Sequence, residues 1–477
     1  MPSTHDSVLY RNLLKRCAGR EKPPLQSSYR AQGERANRPK MIKFIGFIFV
    51  LCCGPVARPD GQQAPSGSQV SCSSCVLTGI DVLERQHFRL LQQLATRHGG
   101  RLRIGLMTNQ SGLDAAGRRT VDVLFHDAPK QFPGLTVTTL FSPEHGLSGL
   151  LDTAHIAGGQ HLAIADGRDV KTGLPVISLF GDTDAQRHPQ PEQLRTLDAV
   201  LIDLQDAGVR FYTYETVVGY FLEAGAKTGT EIVILDRPNP INGMSVQGPM
   251  SPTRQSYINY MALPVRHGMT IGELATYFNA ENHLHARLTV LQMENWHRQE
   301  WFDQTGLKWT NPSPNLRNLT AATLYPGVGL LEGTNISVGR GTEAPFERLG
   351  APWISGGKLA AFLNGRRIPG VRFLPESFTP SGGNRYDGEL CEGIRMSVTD
   401  RMALDSPELG VEIASALWKL YPRDFTLQAI DPLKLDRSTL SAIEAGTDAR
   451  RIAAGWKGGT ASFAIRRSRY LLYERPP

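Results

Sequence analysis

The densest group of residues able to do chemistry is Ser142-Pro143-Glu144-His145-Gly146, where a carboxyl and an imidazole stand side by side. The flanking Pro and Gly place both in a tight turn. A carboxyl held this way beside a ring nitrogen can deliver or accept a proton. Other polar groups recur along the chain: Asn109, Asp203 with Asp206, Arg210-Phe211-Tyr212-Thr213-Tyr214, Asp236-Arg237-Pro238-Asn239-Pro240 and Arg266-His267-Gly268. Glu223 interrupts an otherwise apolar helical run. Acids, phenols, amides and guanidinium groups are the equipment of glycoside chemistry, which uses one protonated carboxyl and a second charged group that activates water or attacks the sugar. Glu144 is the leading acid, with His145 to orient it or carry protons. Asp206 and Glu223 are candidates for the second group. Each residue also has a plain structural reading. Glu144 would cap a following helix, Asp206 would cap a turn, Tyr212 and Tyr214 would be packing, and Glu223 would face solvent on an amphipathic helix.

The elements that must position these groups are legible from periodicity. Short apolar runs at 102–107, 135–140, 175–180, 199–204 and 231–235 each end in one of the polar clusters. Helical spacing appears at 78–98, 117–127, 191–197 and 214–227, and Thr270 with Glu273 forms a capping box for another helix. Strand and helix alternate to about residue 240, which predicts βαβ units and a Rossmann-like parallel sheet. Such sheets bind ligands beyond the carboxyl ends of their strands. The pattern therefore predicts one cleft lined by Asn109, Glu144, His145, Asp206, Arg237 and Asn239. Residues 309–350 read as loop-rich. A smaller α/β unit follows from about 352, with helices near 356–365 and 406–421 and a strand at 393–398. The expected division is a basic extension over 1–40, an export signal and linker over 41–76, a Rossmann-like catalytic domain over 77–345 and a C-terminal α/β domain over 346–477, with the active-site cleft between the last two.

The chain has 477 residues and a net charge of +7, but residues 1–40 hold nine Lys/Arg against three Asp/Glu, so nearly all of that charge lies there. The remainder is close to neutral and gives no electrostatic case for nucleic acid. Met41 is a second plausible start. The apolar run 44–53 behind it is too short to span a bilayer and fits the core of an export signal, which predicts a periplasmic or extracellular protein. Cys53 is a candidate for lipid attachment and membrane anchoring, with ordinary cleavage the competing reading. Of the six cysteines, Cys72 and Cys75 have redox-motif spacing but precede any strand or helix pattern, which favours a linker disulfide or free thiols. No spacing of His, Cys, Asp or Glu forms a recognisable metal site, and no cofactor is expected.

Several familiar signatures are broken. Ser355-Gly356-Gly357-Lys358 has the S-x-x-K pattern of penicillin-binding enzymes, yet both Lys-Thr-Gly copies precede it rather than follow. Gly225-Ala226-Lys227-Thr228 is one glycine short of a phosphate-binding loop, and Gly327-Val328-Gly329 lacks the third glycine of a dinucleotide fingerprint at Glu332. Neither G-x-S-x-G nor H-E-x-x-H occurs, so serine-hydrolase and zinc-peptidase chemistry lack their supports.

Taken in order, Ser142–Gly146, Asp203–Tyr214, Leu235–Pro240, Leu263–Thr270, Asn311–Leu316, Glu332–Asn335 and Gly339–Glu343 resemble the NamZ-type exo-β-N-acetylmuramidases, formerly a family of unknown function. The likeness covers about 78–477. It implies a Rossmann-like domain followed by a smaller α/β domain, with the cleft between them. It also implies an exo-acting glycosidase that removes N-acetylmuramic acid from the non-reducing ends of peptidoglycan fragments. The family's acid falls on Glu144, and a second family glutamate falls on Glu223. Residues expected to bind the sugar are Asn109, Arg210, Tyr212, Tyr214, Arg237, Asn239, His267, Asn335, Arg340 and Glu343. The muramic sugar carries a lactyl carboxylate, which Arg210, Arg237 or Arg340 could grip bidentately. Two other classes compete. An esterase or amidase would need a nucleophile elbow, and a glycan-binding module would need no acid in a turn.

Overall fold

The computed structural model describes residues 75–151, 167–252 and 255–473, which belong to one unit spanning 71–477. The basic extension, the export segment, Cys53 and Cys72 lie outside the described residues. Cys75 is disulfide-bonded, and Cys391 is a free, buried thiol.

Six strands run parallel: β1 (Leu102–Thr108), β2 (Leu135–Ser142), β4 (Pro175–Ser178), β5 (Ala199–Asp203), β6 (Glu231–Leu235) and β9 (Leu288–Leu291). The two-residue β3 (Gly167–Arg168) pairs antiparallel at the edge, giving the order β3-β4-β2-β1-β5-β6-β9. The chain walks outward from β1 through β2, then restarts on the other side at β5, so the order reverses between β1 and β5. At such a switch point the connections leave in opposite directions and open a crevice beyond the strand ends.

Alternation explains why the sheet is covered on both faces. Ile104 and Leu106 of β1, Leu201 of β5 and Val233 of β6 pack on one side with the helices Gly79–Arg85 and Arg89–Ala95. Met107, Val200, Ile202, Ile232 and Ile234 pack on the other with the helices Tyr214–Thr228 and Ile271–Glu281. The predicted helix over 78–98 is two helices, because His87 and Phe88 adopt positive φ and break it. The Thr270 capping box forms as expected, with Thr270 Oγ1 accepting from Glu273 N at 3.2 Å.

β7 (Gln247–Met250) and β8 (Pro264–Arg266) form a hairpin, and β10 (Arg348–Ala351), β11 (Val371–Phe378) and β12 (Cys391–Val398) form an antiparallel sheet in the order β10-β12-β11. Leu349, Phe373, Ile394 and the helix Ser406–Leu420 share one continuous core with the second face of the large sheet. The α/β class and the mostly parallel sheet are those expected. Segment 309–350, read as loop-rich, contains the helix Leu319–Val328, whose high apolar content on every side marks a buried element rather than an amphipathic one.

Candidate active site

Strand β2 ends at Ser142 and delivers Glu144 into a turn closed by Gly146 N donating to Pro143 O at 3.0 Å. His145 and Gly146 both take the left-handed conformation, with φ of 73° and 75°. That conformation is uncommon for a residue with a side chain. The His145 ring is fixed by Nδ1, which donates to the Leu151 carbonyl at 2.6 Å. No helix follows the turn within 143–151, so Glu144 has none there to cap. Its Oε2 accepts from the Thr213 hydroxyl at 2.9 Å, just before the helix Tyr214–Thr228 begins.

Glu144, His145 and Thr213 line a cavity of about 280 Å³ with an aromatic wall of Phe211, Tyr212, Tyr325 and Phe346. Tyr325 packs edge-on against Phe211 and Phe346, with ring centres 5.3 and 4.7 Å apart. The rest of the wall carries charge: Glu332, Arg340 and Lys434. Arg340 Nε and Nη2 donate to Glu332 Oε1 at 2.9 and 2.6 Å, and Lys434 Nζ donates to Glu332 Oε2 at 3.2 Å. Burial opposes ionisation of Glu332, but the two cations outweigh it and hold the carboxyl near 2. Glu332 and Lys434 escaped sequence reasoning. Glu332 stood in the quoted Glu332–Asn335 motif, which was a usable signal. Lys434 lies about a hundred residues away in an unremarkable loop.

Behind the phenols lies a buried polar layer. Asp206 Oδ2 accepts from Gly208 N at 2.7 Å, so the acid does shape its own turn. Gly208 needs its freedom there: φ is +77°, and a Cβ would sit 2.4 Å from Asn239 Oδ1. His267 Nδ1 accepts from Met269 N at 3.1 Å, so the proton of the neutral ring is on Nε2. That nitrogen faces Asp206 Oδ2 at 3.7 Å and Glu215 Oε2 at 4.0 Å. Burial, reinforced by Arg467, Arg266 and Arg210, pushes His267 down to about 3. Burial raises Asp206 to about 7 and raises Glu215 well above the carboxylate range. Glu215, fully buried with both oxygens lacking a hydrogen-bond partner among the described residues, is the acid nearest Asp206 on the helix and was missed. Its neighbours in sequence gave no reason to separate it from packing. Among the described residues no group of three or more His, Cys, Asp or Glu is placed to hold a metal ion.

The structure gathers some predicted residues and scatters others. Glu144, His145, Tyr212 and Arg340 share the cavity wall. Tyr214 stands behind it, its hydroxyl accepting from Asn109 Nδ2 at 2.8 Å and donating to Pro312 O at 2.9 Å. Arg237 is committed elsewhere: it forks onto buried Asp203, with Nη2 2.9 Å from Oδ2, and also donates to Leu113 O at 2.7 Å. Asn239 donates to Met269 O at 2.9 Å and accepts from Ile241 N at 3.1 Å. Arg210 is fully buried and donates to the carbonyls of Leu433 and Lys434. Asn335 is tied to the 424–426 loop through Asp424 O and Thr426. Glu343 is 75% exposed and pairs with Arg348. Glu223 accepts from Tyr260 Oη at 3.0 Å and from Gln255 Nε2 at 3.3 Å, outside the cavity wall. It sits eight residues beyond Glu215, about 12 Å along the helix axis.

These features define an α/β enzyme whose crevice opens beyond the ends of parallel strands and carries an acid in a turn, an aromatic wall and an ionised acid held by two cations. The chain belongs to the NamZ family: the model "Exo-beta-N-acetylmuramidase NamZ, N-terminal" matches residues 104–320 and its C-terminal counterpart matches 323–473. It is 38% identical over 421 residues to the peptidoglycan β-N-acetylmuramidase NamZ of Bacillus subtilis (strain 168), covering 87% of this chain and 95% of that protein. Two crystal structures of DUF1343 family proteins from Bacteroides fragilis NCTC 9343 are also similar. One has a TM-score of 0.72 at 30% identity, covering 84% of this chain and 100% of that one. The other has a TM-score of 0.65 at 29% identity, covering 84% and 99%.

Proposed function

We propose that this protein is an exo-acting glycoside hydrolase that releases N-acetylmuramic acid from the non-reducing ends of peptidoglycan fragments. The observation that carries the reading is Glu144, held by Thr213 in the wall of a cavity lined by aromatic rings and by the Arg340–Glu332–Lys434 set, in a chain of the NamZ family. Sugar rings present apolar faces that pack on aromatic side chains, so the Phe211, Tyr212, Tyr325 and Phe346 wall suits a single terminal sugar. Glu144 donates a proton to the leaving glycosidic oxygen. His145, with Nδ1 donating to Leu151, keeps Nε2 as the acceptor of its neutral form and can exchange protons with the site.

Incubation with a chromogenic N-acetylmuramide and with its N-acetylglucosaminide counterpart tests the reading. Release of chromophore from the muramide, with free sugar as product, is expected. Release of acid or peptide from cell-wall pieces instead would indicate an esterase or amidase, and binding without turnover would indicate a glycan-binding module.

Export to the periplasm or cell exterior belongs to the same reading. It is supported by the Lys-led apolar run after Met41 and by a substrate that lies outside the cytoplasmic membrane. Mass spectrometry of the native protein should find an N-terminus between Cys53 and about Cys75, and a lipid on Cys53 would mark membrane anchoring. An intact cytosolic chain starting at Met1 would sink this part.

A further inference from the structure

Two cations of the cavity wall, Arg340 and Lys434, converge on Glu332, and both Glu332 oxygens are engaged. A carboxylate so occupied is poorly placed to attack a sugar, and it serves instead to hold the cations at fixed points. Lys434 Nζ spends two of its three donors, one on Glu332 and one on Gly329 O at 3.0 Å, and the ammonium lies 4.9 Å from the centre of the Phe211 ring that it covers. The loop carrying Lys434 is itself clamped, because the buried Arg210 guanidinium donates to the carbonyls of Leu433 and Lys434. An ammonium fixed this firmly in a partly desolvated wall favours a second anion at the same place.

We propose that Lys434 and Arg340 read the lactyl carboxylate of the substrate's terminal sugar, with Glu332 holding both cations in place and Arg210 positioning Lys434 through the loop backbone. This rests on the muramidase reading above and adds to it the residues that select a muramic sugar over the otherwise similar glucosaminide. Arg237, two residues beyond the end of β6, is committed to Asp203 and takes no part.

The test compares 4-nitrophenyl N-acetylmuramide with the same glycoside whose lactyl carboxyl is converted to a neutral methylamide. The wild-type enzyme should favour the acid about 10- to 100-fold in KM, the range of a hydrogen bond to a charged group, with kcat much less affected. Added salt should raise KM for the acid and leave the amide unchanged. Lys434→Met should remove most of the preference, and Lys434→Arg should retain it. Equal KM for acid and amide in the wild-type enzyme would overturn the proposal without any variant being needed. So would a Lys434→Met enzyme that weakens both glycosides alike. Turnover of neither glycoside would defeat the muramidase reading itself, a result distinct from turnover of both at equal KM.

Discussion

The Thr213 hydroxyl donates to Glu144 Oε2 at 2.9 Å, joining the turn after β2 to the first residues before the helix Tyr214–Thr228. The acid and its orienting hydroxyl thus come from two separate strand–helix units, which only the parallel sheet brings together. Thr213→Val should lower turnover roughly 10-fold by removing a hydrogen bond to a chargeable group, and Thr213→Ser should restore it. Equal turnover in wild type and Thr213→Val would show that the bond does not position the acid.

Glu144→Gln should retain the fold and sugar binding, with turnover on a natural disaccharide falling by roughly two to four orders of magnitude. The loss should shrink for a nitrophenol leaving group, which needs little protonation. Steady-state kinetics on both substrates decide it, and a variant as fast as wild type on the disaccharide would remove Glu144 from the chemistry.

Glu223→Gln should turn over close to the wild-type rate. Its carboxyl contacts Tyr260 and Gln255 and lies outside the cavity wall. A kinetic loss matching that of Glu144→Gln would instead make it the second carboxyl of the mechanism.

Arg237→Met should destabilise the protein by about 3–5 kcal/mol, because Asp203 would be left buried without its cation. Urea or thermal unfolding measures this. Native stability together with a raised KM would turn Arg237 back into a substrate ligand.

The stability of the buried layer should depend on pH through Asp206. Its folded value of about 7 lies above the ordinary 3.8, so the folded state binds the extra proton and stability falls as pH rises from about 4 to 7. His267 acts in the opposite direction. Its folded value of about 3 lies below the ordinary 6.5, and its contribution grows with pH only up to that point. Asp206→Asn should therefore gain stability relative to wild type between pH 4 and 7, by at most about 4 kcal/mol. Denaturant unfolding at several pH values should show this divergence, and parallel curves for the two proteins would refute it.

Much of the frame could be read directly. The apolar runs at 102–107, 135–140, 199–204 and 231–235 became strands because an unbroken apolar run bounded by turn residues has one good solution between two helical layers. The Thr270 cap and the helix from Tyr214 were visible for the same local reason. The antiparallel pairs β7–β8 and β10–β12 were not, since their stabilising contacts come from distant segments and β7, β8 and β10 are only three or four residues long.

The candidate site divides along the same line. Glu144 and His145 were legible because a Pro/Gly-bracketed turn after a strand is a local arrangement. The sequence by itself determined which residue types stand at the strand ends. Only the tertiary structure decided which of them face the cavity. Arg237, Arg210 and Asn239 have the right chemistry, but they are buried, and each spends its hydrogen bonds on protein partners. Lys434 and Glu332 reach the wall for the converse reason: they are about a hundred residues apart in the chain, and no short-range pattern encodes the contact between them.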